Sequence, residues 1–155
     1  MGKYVTFSFL LGLLLLSSQL FAQNNIRQIE LDVLNYVNDY RASRNLEPLE
    51  RNPYMDEIAK KHSLDMANGT RKFSHNGFKK RAAAIRKLST TSYTVGENLY
   101  YTTYPNEVGK NTVGGWITSV DHHKNLVSDY TYAGIGVVRN KRGRIYITML
   151  YAKYE

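Results

Sequence analysis

The chain has 155 residues, a formal charge of +8, 13 tyrosines and no cysteine. Without cysteine it has neither a disulfide scaffold nor a thiolate site, so stability must come from packing, and a chain of this length can build that core as one domain. The cations cluster: no acid lies between Asp65 and Glu97, while Arg71, Lys72, Lys79, Lys80, Arg81, Arg86 and Lys87 all do, a field that favours anionic surfaces such as phospholipid or cell-envelope polyanions.

Residues 1–22 read as a secretory signal peptide. Lys3 supplies a short positive region, the apolar run Phe7–Leu16 is too short to span a bilayer, and Leu20-Phe21-Ala22 is a cleavage site. Residues 23–155 are then the domain, secreted or periplasmic, with no transmembrane segment, and nucleic acid is not expected as a partner. Asn24 or Asn25 caps a first helix carrying Ile26, Ile29, Val33, Val37 and Tyr40 on one stripe and ending near Asn45. The stretch Leu46–Leu49, with Pro48, is a turn that tucks two leucines inward. Asn52-Pro53 opens a second helix with the stripe Met55, Ile58, Ala59, His62 and Met66, and Asn68-Gly69 stops it. On that stripe His62 reads as a core imidazole bonded to backbone. Thr70–Gly77 is a loop presenting His75 between the apolar anchors Phe73 and Phe78.

Phe78–Leu88 is a basic helix in which Ala82, Ala83, Ala84 and Ile85 pack and the cations face water. Ser89–Ser92 is a flexible polar loop. Tyr93–Val95 leads through Gly96-Glu97-Asn98 into the Tyr/Thr-rich, strand-like run Leu99–Tyr104. Pro105–Ser119 has helical spacing, but Gly109, Gly114 and Gly115 make it a poor intrinsic helix that forms only by packing closely on a neighbour. Tyr132–Val138 and Arg144–Tyr151 are strands joined by a hairpin turn at Asn140–Gly143. In the latter, Ile145, Ile147 and Met149 point to one face and Tyr146, Thr148 and Leu150 to the other, so both faces need helices. Gly134 and Gly136 leave one face of their strand bare for a close neighbour. The architecture that follows is helix layer, antiparallel sheet, helix layer.

The stretch GGWITSVDHHKNL, Gly114–Leu126, organises the rest. Trp116, Ser119, His122 and Asn125 recur at steps of three and share roughly one helical face. We read His75, Glu97, Ser119 and His122 as meeting in one cleft.

In order, NDYRASRNLEPL, AKKHSLDMA, FSHNGF, GENLYY, WITSVDHHKNL, YAGIGVV and IYITMLYA cover nearly all of residues 23–155. In this the chain resembles the CAP superfamily of cysteine-rich secretory, antigen 5 and pathogenesis-related proteins, in its short bacterial form. The resemblance implies an α+β fold, a three-layer α-β-α sandwich with a central antiparallel sheet. It also implies a cleft lined by two histidines and acidic residues. Carried over by motif, the histidines are His75 and His122 and the acid is Glu97. Where many relatives hold a second glutamate, three residues after the tryptophan, this chain has Ser119. His123 matches no cleft position and is expected to face solvent.

Two neutral imidazoles, His75 and His122, suit Zn²⁺ or another borderline divalent ion, but two ligands imply weak, exchangeable binding completed by water or Glu97. Glu97 could instead set the tautomer of one imidazole. Ser119 reads either as a helix cap or as a nucleophile beside His122, and no nucleophile elbow or evident oxyanion donor pair accompanies it. Two function classes follow. One is an exported binding module for a small lipid-like ligand, a metal or a partner protein, to which the tyrosines Tyr100, Tyr101, Tyr104, Tyr130 and Tyr132 would lend an amphipathic surface. The other is a peptidase-like hydrolase, serine-type or using a metal-activated water with Glu97 as base.

Overall fold

The computed structural model describes residues 25–89 and 92–154. The expected signal peptide, Asn24 as a cap, and Thr90-Thr91 lie outside these. Helix α1 covers 25–42 and is followed by a turn at 43–45. Strand β1 is Glu50–Arg51, helix α2 is Pro53–Ala67 and helix α3 is Phe78–Arg86. Strand β2 is Tyr93–Thr102, helices α4 and α5 are Val108–Thr118 and Val120–Val127, and strands β3 and β4 are Tyr132–Arg139 and Ile145–Tyr154.

The sheet runs in the order β1-β3-β4-β2. The pairs β3-β4 and β4-β2 are antiparallel; the β3-β4 turn has hairpin chemistry, with Asn140 Oδ1 accepting from the backbone N–H groups of Arg142 and Arg144 and Gly143 at φ +80°. The sheet is mixed rather than wholly antiparallel, because β1 lies parallel to β3, with Glu50 N–H donating to Thr131 O and Asn52 N–H to Ala133 O. Two residues after a turn carry no period by which such a strand could be read. Strand β2 is continuous through Gly96-Glu97-Asn98, and β4 runs to Tyr154.

The alternation of β4 divides two layers. Ile145, Ile147, Met149 and Tyr151 join α1, α4 and α5 through Val33, Val37, Trp116 and Leu126. Leu150 and Ala152 join α2 and α3 through Met55, Ala59 and Ile85. Helix α2 starts as its sequence dictates, with Asn52 Oδ1 accepting from Met55 N–H and Pro53 in the first turn. It lies almost on the backbone of β3: a Cβ on Gly136 would fall 2.0 Å from Lys60 N, and one on Gly134 2.3 Å from the Met55 carbonyl carbon. Gly109 lets α4 approach α1 in the same way, with Asp32 Cβ 2.6 Å from where its own Cβ would sit.

Arg41 on α1 is only 2 % exposed. Its guanidinium donates to the carbonyls of Glu47, Leu126, Ser128 and Tyr130, tying the end of α1 to the segment leaving α5. Burial lowers its pKa from the ordinary value, and four carbonyl dipoles stand in for a carboxylate.

Candidate functional site

The site forms at the edge of the sheet. Strand β2 is an edge strand, and α4 and α5 cover its open side. Trp116 Nε1 donates to Leu99 O at 3.0 Å and Asn125 Nδ2 to Glu97 O at 3.1 Å, so two outward carbonyls of β2 bond to indole and amide donors instead of an adjacent strand. Asn98, fully buried, donates to the His122 carbonyl and to Tyr151 Oη, each at 3.1 Å, and accepts from Asn125 at 2.8 Å. This amide pair fixes α5 against β2 and thereby places His122.

On the side of α2 and α3, Glu97 is the centre. Its side chain is 1 % exposed. His75 Nδ1 donates to Oε1 at 2.8 Å, and Arg81 donates through Nε to Oε2 at 2.6 Å and through Nη2 to Oε1 at 2.8 Å. Both carboxylate oxygens are therefore taken, and the buried negative charge is neutralised by a bidentate guanidinium. The bond to Glu97 consumes the Nδ1 proton of His75, so the neutral imidazole presents an unprotonated Nε2. The His75 side chain is 53 % exposed.

The His75 and His122 ring centroids are 6.4 Å apart with the planes inclined at 44°. Burial, and then the proximity of His75, hold the His122 imidazole below its ordinary value, while Asp121 opposes this weakly. His122 and Ser119 line a cavity of about 280 Å³ together with Phe73, Leu99, Tyr101 and Trp116. His75 and Glu97 are not among its lining residues. The four expected residues thus fall into two adjoining pairs: His75 bonded to Glu97, and His122 sharing an apolar pocket with Ser119.

Ser119 breaks the stretch into two helices. With φ −100° and ψ 121° it is the residue between α4 and α5, and its hydroxyl makes no capping hydrogen bond. The steps of three from Trp116 to Asn125 therefore do not lie on one helix; both helices turn inward because each is anchored to β2. His123 is half-buried rather than free in solvent: its Nε2 hydrogen-bonds the Tyr40 hydroxyl at 2.9 Å and its ring packs edge-on against Tyr40. Tyr130 is buried, stacked on Tyr151, and is no part of an exposed tyrosine surface. His62 behaves as the sequence implies, with Nε2 bonded to Ser74 O at 3.1 Å.

Arg81, too, lies elsewhere than the sequence implies. Its side chain is 10 % exposed and it serves Glu97, whereas Ala83 on the same helix is exposed. One signal pointed to it: a carboxylate closing a 31-residue acid-free stretch rich in cations needs a partner from that stretch if it is buried.

Among the described residues, no group of three or more His, Cys, Asp or Glu side chains is placed to hold a metal ion. Two imidazoles sharing one tetrahedral ion would have centroids roughly 5 Å apart for metal–nitrogen bonds of about 2 Å, against 6.4 Å here. As placed, the His75 and His122 rings are farther apart than one shared ion requires. None of the helices among the described residues is long and apolar enough to cross a membrane.

Comparison with known proteins agrees with this architecture. A family model, "Cysteine-rich secretory protein family", matches residues 34–151. Among solved structures the chain is similar to an outer surface protein of Borrelia burgdorferi, at 18% identity and a TM-score of 0.68, covering 83% of this chain and 94% of that one. It is also similar to an extracellular SCP-domain protein of Bacillus anthracis, at 24% identity and a TM-score of 0.62 over 83% of this chain and 40% of that one. A cysteine-rich secretory protein of Staphylococcus aureus matches at 21% identity and a TM-score of 0.62 over 81% and 39%. The chain thus spans about two-fifths of the length of the last two. No match is found among curated proteins.

Proposed function

Because the chain belongs to the cysteine-rich secretory protein (CAP) family, we propose that it is an exported binding module whose cleft seats a small, largely apolar ligand in the pocket of Phe73, Leu99, Tyr101 and Trp116, with its polar end at Ser119 and His122. One observation carries this reading over the hydrolytic one. Both oxygens of Glu97 are bonded to His75 and Arg81, so the carboxylate is neither a free general base nor an open metal ligand. Ser119 and His122 line a mostly apolar pocket in which aromatic side chains surround a few polar groups, the composition of a recognition site. Export follows from the N-terminal segment read as a signal peptide and accords with the outer surface and extracellular proteins that share the fold.

A divalent ion such as Zn²⁺ binds weakly in this reading, at His75 Nε2 and at a His122 nitrogen. When bound it supplies a Lewis-acidic contact for a ligand's polar end.

The test is native mass spectrometry of the protein isolated from its own envelope, with and without chelator, beside a Ser119→Phe variant that fills the pocket. A retained organic mass that Ser119→Phe loses supports the cleft as its seat. A mass retained equally by the variant, or turnover of an ester or peptide that Glu97→Gln abolishes with the fold intact, overturns the reading. Histidine NMR signals that do not move on adding Zn²⁺ would remove the metal.

A further inference from the structure

The cleft pocket borders a piece of bare strand edge. In an antiparallel pair, a residue turns both its N–H and its C=O either toward the partner strand or away from it, and the two states alternate along the chain. On β2 the carbonyls of Glu97 and Leu99 point away from β4, since they accept from Asn125 and Trp116. Tyr101, opposite Tyr146, continues this phase two residues on, so its N–H and C=O also point outward. Among the described residues neither group has a hydrogen-bond partner, and Tyr101 is 46 % exposed. An open pair of this kind is a template for another extended chain.

Tyr101 also lines the cleft pocket, with Trp116, Ser119 and His122. At about 280 Å³ the pocket is smaller than the span of about 300–1,000 Å³ usual for a whole small molecule. One planar side chain suits it. An aliphatic group would leave the Ser119 hydroxyl and the His122 imidazole without partners, whereas a tyrosine lays its ring on the aromatic wall and brings a hydroxyl to them.

The rim is cationic. The guanidinium carbon of Arg144 lies 5.0 Å from the centroid of the Tyr101 ring. Lys72 precedes Phe73, whose ring packs edge-on against Tyr101 at 4.8 Å. Both cations are exposed, and neither has an ion pair among the described residues.

We propose that the cleft binds an extended segment of another protein as an added strand on β2. The inference rests on the cleft pocket being the ligand's seat, and it names the ligand. The segment exchanges two main-chain hydrogen bonds with Tyr101, inserts a tyrosine side chain whose hydroxyl meets Ser119 and His122, and sets flanking carboxylates against the cationic rim. Main-chain pairing of this kind supplies affinity, and the side-chain pocket supplies specificity. A second copy of the chain fits less well, because a two-fold contact would bring one cationic rim against another.

The experiment titrates the full domain with the blocked peptide acetyl-STYTEE-amide and follows the His122 ring and the Tyr101 amide by NMR. His122 should shift saturably, and hydrogen exchange at the Tyr101 amide should slow at least about tenfold at saturation. Two versions of the peptide, N-methylated at alternate amides in the two possible frames, separate strand pairing from side-chain capture. One frame should bind at least about tenfold more weakly, as expected for lost main-chain bonds, and the other should bind as before. Leucine in place of the peptide's tyrosine should weaken binding. Arg144→Glu, an exposed substitution, should erase the advantage of this peptide over its STYTQQ counterpart. Ser119→Phe should abolish binding of all of them; if that variant does not fold, the two frames and the Tyr101 amide still decide on the unaltered chain. The proposal is overturned by equal binding of both frames, by a Tyr101 amide that stays unprotected at saturation, or by no saturable shift. An organic mass retained in the cleft and lost in Ser119→Phe, with no peptide binding, overturns the peptide and leaves the cleft reading standing. Shifts at His122 that depend on protein concentration without peptide would overturn it in favour of a second copy.

Discussion

Arg81 and Glu97 face each other through two parallel hydrogen bonds, 2.6 and 2.8 Å long, from a short helix to the edge strand it overlies. The pair is almost wholly out of water, so each partner depends on the other. Arg81→Met should destabilise the fold by about 3–5 kcal/mol, because a buried carboxylate is left without its cation. The double variant Arg81→Met, Glu97→Leu should recover most of that loss. Urea unfolding of the single and double variants checks both; a loss under about 1 kcal/mol in the single variant would mean that water reaches Glu97 far more readily than the geometry implies.

Two histidines make the fold sensitive to mild acid. Burial is the leading cause holding both His62 and His122 below the ordinary value of 6.5, with Arg81 the next cause for His62 and His75 for His122. The unfolded chain therefore takes up these protons before the folded one does. Stability should be constant above about pH 7 and fall as pH drops through about 6.5 toward 5, until the folded-state values are passed. Thermal unfolding across that range should show the slope, and His122→Gln should make it shallower. An unfolding temperature that rises on acidification over the same range contradicts the assignment.

Arg41→Met removes the donor for four carbonyls, three of them in the segment from Leu126 to Tyr130. The expected cost is about 3 kcal/mol or more, since buried acceptors lose their partners. Because that segment follows α5, amide exchange should accelerate first around His122 and Asn125 rather than uniformly. Uniform acceleration would show that Arg41 acts only on global stability.

Gly136→Ala places a methyl group 2.0 Å from the backbone of Lys60. Neither backbone can yield without separating α2 from β3, and overpacking of this kind costs about 1–3 kcal/mol or more. Gly114→Ala is the control, since no atom lies within 4 Å of its Cβ position; on a helix it should be neutral or stabilising by up to about 1 kcal/mol. Chemical denaturation that ranks the two variants the other way would contradict the α2–β3 packing described above.

Much of the architecture is present in local pattern. The period-two alternation of Ile145–Leu150 calls for two helical layers, Asn52-Pro53 starts α2, and the bare glycines of β3 call for a helix lying close. All of these follow from steric rules that act over a few residues. His75, Glu97, Ser119 and His122 were identifiable because their residue types carry chemistry, and the structure brings them together as two adjoining pairs.

The pairing itself was decided by tertiary packing. Arg81 read as a solvated cation on a basic helix and His123 as a solvent-facing ring, yet one grips Glu97 and the other bonds to Tyr40, 83 positions away. The split of Trp116–Asn125 into two helices likewise depends on the open edge of β2, whose carbonyls require donors from outside the sheet. Local sequence sets the period and the buried face of an element; it carries no measure of which distant group will desolvate a charge or complete a strand's hydrogen bonds. For this chain, that is the difference between recognising the four residues and knowing that Arg81 already occupies the acid among them.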